Sequence, residues 1–270
     1  MKAILKYPGS KWRIADEIVK RIPEHHSYLE PFFGSGAVFF NKEPSDIETI
    51  NDLDNEIPNL FKCIRDDPEK LAARVTLTPY SRYEYENAYG GVPADEYDQA
   101  MQFLIRCWQG YGYRVNGKVG WKNDVQGRES MYALRSWYNL PDNILKVAER
   151  LRCVQIENQP ALKLIRRFNH PNVFMYVDPP YLMDTRLCSR KQYKHEMTQE
   201  DHIELLEELA QSQAKVIISG YESELYDEIL KGWNKAEFRS NNQHGQRVSE
   251  IIWMNFEYAE NEAERSENGV

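Results

Sequence analysis

Cysteine is sparse and scattered. Cys63, Cys107, Cys153 and Cys188 stand 44, 46 and 35 residues apart, with no Cys-x-x-Cys pair among them. That excludes the usual spacing of a zinc site or a disulfide framework, so four reduced, structural thiols are expected. Long apolar runs are missing as well: none approaches the roughly 18 residues of a membrane span. The first residues, Met1-Lys2-Ala3-Ile4-Leu5, lack the extended apolar core of a signal peptide, and a cytoplasmic location is expected. The histidines form no cluster; His25-His26 reads as surface, and no metal is expected. Internal repeats and low-complexity blocks are absent, which removes solenoids and collagen-like architectures.

What is present suffices for one large domain, or one domain with an insert. The chain has 270 residues, 41% of them hydrophobic, enough for a sizeable core. Its net charge of −8 is unevenly spread: residues 101–167 carry 12 Lys+Arg against 5 Asp+Glu, a local +7 that leaves −15 for the remainder. A basic middle in an acidic chain suits a polyanion held locally, although a solvated helical face has the same composition.

The first 60 residues alternate helix and strand. Residues 12–22 place Ile14, Ile18 and Ile22 on one helical face. Tyr28-Leu29-Glu30 reads as a strand entering a glycine turn, with Phe39-Phe40 in a following helix. Ile47 to Ile50 is a second strand and Asn55 to Ile64 a helix. From about residue 65 to 150 strand signals thin out. Helices are expected over 95–108 and 142–152, with a glycine-rich, basic and aromatic loop or hairpin over 110–128. The α/β rhythm resumes with strands at 154–156, 173–177, 215–219 and 248–256, and with helices over 161–168 and from a Thr198-x-x-Asp201 capping box to Ala210. The reading is an α/β core, residues 1–64 and 151–258, interrupted by a mostly helical insert, 65–150. An acidic tail, 259–270, is expected to be disordered.

Two stretches carry chemistry. Val173 to Val177 reads as a strand buried on both faces, and Asp178-Pro179-Pro180-Tyr181 follows at its C-terminal edge, where open α/β sheets bind ligands. The two prolines stiffen the turn and remove two backbone donors. The second stretch is Glu30-Pro31-Phe32-Phe33-Gly34-Ser35-Gly36, whose glycines let a backbone approach a ligand closely. About 20 residues on, Asp52 ends the second strand, where an acid can hold ribose hydroxyls, with Asp54 as a competitor. The third glycine of a dinucleotide fingerprint is absent, and Gly9-Ser10-Lys11 lacks the first glycine of a P-loop. A ribose–adenine ligand without pyrophosphate fits better, and S-adenosylmethionine is such a ligand.

The chain resembles the Dam-like family of N6-adenine DNA methyltransferases. The resemblance rests on six pieces in order: Leu5-Lys6-Tyr7-Pro8-Gly9-Ser10-Lys11, the Glu30–Gly36 stretch, Ile50-Asn51-Asp52, Asp178-Pro179-Pro180-Tyr181, Ser219-Gly220-Tyr221 and Glu250-x-x-Trp253-x-Asn255. They cover the α/β core, about two-thirds of the chain. The resemblance implies a Rossmann-like methyltransferase fold, a mixed seven-stranded sheet flanked by helices, with S-adenosylmethionine as cofactor and double-stranded DNA as partner. It would make the α/β core the catalytic domain and residues 65–150 a target-recognition insert. By it, Tyr7, Lys11, Phe32, Gly34, Ser35, Gly36, Asp52 and Asp178 would surround the cofactor. It departs at one point: where the family usually has an acid reaching the cofactor adenine, this sequence has Pro160, so that contact would pass to Glu157, Asn158 or a backbone group. The family includes restriction-associated, solitary and phage-borne enzymes, and these residues do not choose among them. A monomer or weak dimer is expected.

Under that reading Asp178 and the Pro179 carbonyl each accept one hydrogen of an exocyclic amine and aim its lone pair at the methyl group, the residues supplying geometry and electrostatics. Pro180 fixes the turn, Tyr181 stacks on the base, and the base must be flipped out of the duplex. For DNA, Arg114, Asn116, Lys118, Lys122, Asn123 and Arg128 in the insert, with Lys191 and Lys194 after the catalytic turn, are the expected contacts. Two alternatives stand beside this one: methylation of cytosine N4, disfavoured by Asp rather than Ser before Pro-Pro-Tyr, and a DNA-binding module with a vestigial cofactor pocket, supported only by Pro160.

Overall fold

The computed structural model describes residues 1–111, 117–123, 130–186, 191–241 and 247–258. Its strands are β1 (Ser27–Glu30), β2 (Ile47–Asn51), β3 (Val154–Glu157), β4 (Val173–Val177), β5 (Lys215–Gly220), β6 (Asn234–Asn241) and β7 (Arg247–Met254). They form one seven-stranded sheet in the order β3-β2-β1-β4-β5-β7-β6, parallel except for β7, which runs antiparallel to both its neighbours. The helices are α1 (Ala15–Lys20), α2 (Glu56–Asp66), α3 (Pro68–Leu77), α4 (Arg82–Gly90), α5 (Glu96–Gln109), α6 (Ser130–Tyr138), α7 (Leu140–Leu151), α8 (Ala161–Arg167), α9 (Gln199–Ala210) and α10 (Glu224–Ile229).

Alternation along the central strands explains why both faces are covered. Tyr28, Phe174, Tyr176 and Ile217 point into one apolar cluster, and Leu29, Met175, Val177 and Ile218 into the other. The second cluster is closed by Leu164 and Ile165 of α8 and by Leu205, Leu206 and Leu209 of α9. The first runs without a break from Ile4 and Leu5 through Leu60, Phe61 and Ile64 of α2 to Leu104, Trp108, Trp137, Ile144 and Leu151. The 65–150 helices therefore share the core of the sheet. Trp108 Nε1 donates to the Ile4 carbonyl at 2.8 Å, and Arg150 of α7 pairs with Glu48 of β2.

The capping box at α9 is formed: Asp201 N donates to Thr198 Oγ1 at 3.2 Å and Thr198 N to Asp201 Oδ2 at 2.8 Å. The expected helix around Phe39-Phe40 is absent. Residues 37–41 make turns only, because Asn41 Nδ2 takes the Ala37 carbonyl at 2.7 Å and Pro44 follows closely. The 12–22 helix is shortened to α1. Strand β6 and helices α3, α4, α6 and α10 are additions to the sequence reading. Within the expected 110–128 loop an antiparallel bridge joins Gly110 to Trp121, with Tyr111 N donating to the Gly120 carbonyl at 2.9 Å. Among the described residues no helix is long and apolar enough to cross a membrane. Arg114, Asn116, Arg128 and the 259–270 tail lie outside the described residues.

Candidate active site

Strands β1 and β4 lie side by side, and they leave the sheet's C-terminal edge in opposite directions, β1 connecting towards β2 and β4 towards β5. That reversal of strand order is where a crevice opens in an α/β sheet. Glu30 ends β1 and Asp178 follows β4, so the two notable stretches of the sequence meet there. A cavity of ≈ 260 Å³ occupies the crevice, lined among others by Tyr7, Lys11, Phe32, Gly34, Ser35, Asp52 and Asp178. Seven of the eight expected cofactor residues thus share one wall set. Gly36 is the exception: it sits in the turn beneath, with φ +64°, and a Cβ there would lie 2.4 Å from the Phe33 ring.

Asp178 is the centre of the electrostatics. Its Oδ2 lies 3.0 Å from Lys11 Nζ, while its Oδ1 is buried with no protein partner in hydrogen-bond geometry. Burial pushes its pKa above the ordinary aspartate value; Lys11 and the nearby Tyr181 hydroxyl oppose this, and Glu250 adds to it. Lys11 is itself 3% exposed, and its Nζ is 3.6 Å from Glu250. Burial alone would pull its ammonium down, but Asp178 and Glu250 hold its pKa above the usual lysine value. Glu30 is also buried, with Tyr28 OH donating to Oε2 at 2.7 Å; burial pushes its carboxyl up to about 8, and Asp178 contributes in the same direction.

Asp52 turns both oxygens to the chain. Oδ2 accepts from Gly34 N at 2.8 Å and Oδ1 from Asp54 N at 3.0 Å, so it braces the glycine turn; burial raises its pKa to about 7 against those bonds. Asp54, 2% exposed, has Oδ1 3.1 Å from Lys194 Nζ and an unpartnered, buried Oδ2 on the cavity. Pro160 caps α8 and lines the cavity with Ala161 and Leu162. Glu157 is engaged by Arg167 and Gln159, and Asn158 donates to the Asp52 carbonyl at 2.7 Å. The surface next to Pro160 is therefore apolar.

In the catalytic turn, Asp178 and Pro180 line the cavity. Tyr181 is 7% exposed; its ring stands edge-to-face with Tyr221 at 4.7 Å, Lys11 Nζ is 4.8 Å from its centroid, and its hydroxyl donates to Glu250 at 3.4 Å. Of the expected DNA residues, Lys118 pairs with Glu86 on the surface, and Lys122 and Asn123 lie on the returning arm of the 110–123 pairing. Lys191 is exposed, whereas the Lys194 ammonium is held at the cavity by Asp54. No roles were read from the sequence for Glu30, Glu250 and Tyr221, although all three lie in the quoted motifs. Glu196 also lines the cavity, and no motif marked it.

Residues 7–244 match the family of D12 class N6 adenine-specific DNA methyltransferases. The chain belongs to that family. Among curated relatives it is similar to the type II methyltransferase M1.LlaDCHI of Lactococcus lactis subsp. cremoris, 24% identical with 95% of this chain and 96% of that one covered. It is 25% identical to the type II methyltransferase M.MjaIII of Methanocaldococcus jannaschii, over 87% and 89% of the two chains. It is 24% identical to the DNA adenine methylase of Escherichia coli K12, over 83% and 82%. As a D12 class enzyme the chain is an adenine-specific DNA methyltransferase, and the seven-stranded mixed sheet is the methyltransferase architecture expected of it. Membership decides against cytosine N4. Among the described residues no group of three or more His, Cys, Asp or Glu side chains could hold a metal ion.

Proposed function

We propose that the crevice holds S-adenosylmethionine and presents it to an adenine extruded from duplex DNA. The lining fits such a ligand. Six acids line it, Glu30, Asp52, Asp54, Asp178, Glu196 and Asp201, against two lysines, Lys11 and Lys194; burial keeps Glu30, and Asp52 in part, protonated near neutral pH, and a sulfonium beside them favours their ionised forms. Asp54 Oδ2 is a free buried acceptor for a ribose hydroxyl, and Leu53, Pro160, Ala161 and Leu162 offer an apolar slot for a purine. When bound, S-adenosylmethionine supplies the transferable methyl group on a positively charged sulfur.

The single observation that carries the mechanism is Asp178 Oδ1, buried and unpartnered at the rim of the cavity. Its sister oxygen is fixed by Lys11, so the carboxylate cannot easily rotate to satisfy itself. Oδ1 accepts one N6 hydrogen and the Pro179 carbonyl the other. Two acceptors on one nitrogen draw its lone pair out of conjugation with the ring and aim it along the transfer axis. Neither proline nitrogen carries a hydrogen, so no backbone donor competes. Tyr181, 7% exposed with Tyr221 and Lys11 against its ring, offers a stacking surface once a base displaces one of those neighbours, worth about 1–3 kcal/mol against the cost of extruding the base. Lys118, Lys122, Asn123 and Lys191 contact the duplex, with Arg114, Asn116 and Arg128 proposed from the sequence alone. Lys194 reaches phosphate only by releasing Asp54. A monomer or weak dimer is the proposed working state.

Asp178→Ala is the test. It is expected to lower methyl transfer from tritiated cofactor to DNA by at least about a thousandfold, while calorimetry shows cofactor binding weakened far less. Turnover within tenfold of the parent enzyme would end this mechanism.

A further inference from the structure

The segment after the catalytic turn folds back over the crevice. Tyr193, Lys194, His195, Glu196 and Met197 all line the cavity. A single ion pair ties that cover to the turn. Arg186, with its side chain 4% exposed, donates Nε to the Tyr181 carbonyl at 2.8 Å, and its Nη2 reaches the same oxygen. The same guanidinium is bidentate on Glu196, Nη1 to Oε1 at 3.0 Å and Nη2 to Oε2 at 2.6 Å. Glu196 Oε1 in turn accepts the Tyr193 N–H at 2.9 Å and the Gln192 N–H at 2.5 Å. Burial pushes the Glu196 carboxyl up, yet these bonds hold it below the usual glutamate range.

The contacts close into a ring. Tyr193 packs on the N-terminal loop: its ring is 6.1 Å from Tyr7, and a Cβ built on Gly9 would lie 2.2 Å from its hydroxyl. Gly9 has φ +70°, and its carbonyl accepts from Lys11, whose ammonium reaches Asp178. The path runs from the turn through Arg186, Glu196, Tyr193 and the Gly9–Lys11 loop back to the turn.

We propose that Arg186, paired with Glu196, is the positioning residue of the catalytic turn, setting the Asp178–Tyr181 backbone and the cofactor cover as one unit. It touches neither the reacting amine nor the methyl group, and it acts through the Tyr181 carbonyl and Glu196. A guanidinium is required because one group must serve a carbonyl and both carboxylate oxygens at once, which an ammonium cannot do from a single point. This rests on the reading of the crevice as the cofactor site.

The test uses the full chain with Arg186→Gln, Arg186→Lys, Glu196→Gln and the double variant. S-adenosylhomocysteine affinity is measured by calorimetry, and single-turnover methyl transfer is measured on unmethylated plasmid DNA at saturating cofactor. Misplacing a turn by about 1 Å costs on the order of a hundredfold. Arg186→Gln is therefore expected to slow transfer between about tenfold and a hundredfold and to weaken cofactor binding together with it. Arg186→Lys should fail to restore either value, and the double variant should be no worse than the worse single one. Melting temperatures serve as a control on folding. Should Arg186→Gln not fold, Glu196→Gln, which keeps an acceptor for the two N–H groups, must show the same paired losses. Transfer and affinity both within twofold of the parent, full rescue by lysine, or multiplying losses in the double variant would each overturn the proposal. A parent enzyme that binds no cofactor would instead overturn the reading of the crevice.

Discussion

At the residue scale, the chemistry turns on how one carboxylate is split between two jobs. Lys11 holds Asp178 Oδ2 and leaves Oδ1 open. It also sets the pH at which Asp178 can work. In the proposed mechanism Asp178 must be ionised to accept an N6 hydrogen, so activity is expected to fall as pH drops through its raised pKa. Lys11 is the main influence holding that pKa down. Replacing Lys11 with methionine removes it, and the pKa rises further. The acid limb of the single-turnover rate profile, measured at saturating cofactor, is therefore expected to move to higher pH in Lys11→Met. An unmoved limb, or one displaced to lower pH, would mean that Lys11 does not govern Asp178.

At the scale of elements, the glycine turn between β1 and β2 shows why one expected cofactor residue does not line the crevice. Gly36 has a left-handed φ, and any Cβ there meets Phe33 and Phe40 within 2.8 Å. Its duty is to let the turn exist. The turn then directs Gly34 N onto Asp52 and Ser35 Oγ to 2.9 Å from Ser10 Oγ. Gly36→Ala is expected to cost more than about 2 kcal/mol in urea unfolding, and to weaken cofactor binding indirectly. A stability loss below about 0.5 kcal/mol would contradict the strain argument. The same contrast separates what the sequence disclosed from what it hid. Strands β4 and β5 were legible because they are buried on both faces and read as unbroken apolar runs. Helix α9 was legible from its capping box. Strand β6 was not: it is an edge strand, Asn-Lys-Ala-Glu-Phe-Arg-Ser-Asn, with Ala236 and Phe238 packed on the core between polar residues. Likewise Asp178 and Asp52 stood out beside prolines, glycines and strand ends. Arg186 and Glu196 are two ordinary charges ten positions apart, and only the fold brings them onto one carbonyl.

At the scale of the whole molecule, the division of the chain into core and insert has no energetic counterpart. The apolar cluster on one sheet face continues into α5, α6 and α7 with no polar seam, and Arg150 of α7 is anchored on Glu48 of β2. Helices that share a core do not unfold separately. One calorimetric transition is expected, with van't Hoff and calorimetric enthalpies in agreement. Two resolved transitions would restore the insert as an independent unit.

That shared core also has to accommodate acids kept for function, and the molecule's stability should record the cost. Glu30 has a folded-state pKa near 8 against an ordinary 4.5, and Asp52 near 7 against 3.8. For an acid whose folded pKa is raised, the folded state keeps a proton that the unfolded chain has released between the two values. Stability therefore falls as pH rises through that window, and levels off above the folded pKa. For Glu30 the window runs from about 4.5 to about 8. Without cofactor, the protein is expected to lose stability on the order of a few kcal/mol between pH 5 and pH 8. Glu30→Gln, which keeps an acceptor for the Tyr28 hydroxyl, removes one of the buried acids with a raised pKa. Urea midpoints at the two pH values should therefore draw closer in that variant, with Asp52 and Asp178 sustaining the smaller remaining slope. If the gap between midpoints is as wide in Glu30→Gln as in the parent, Glu30 is ionised in the folded protein. The crevice would then carry its full negative charge before any cation arrives.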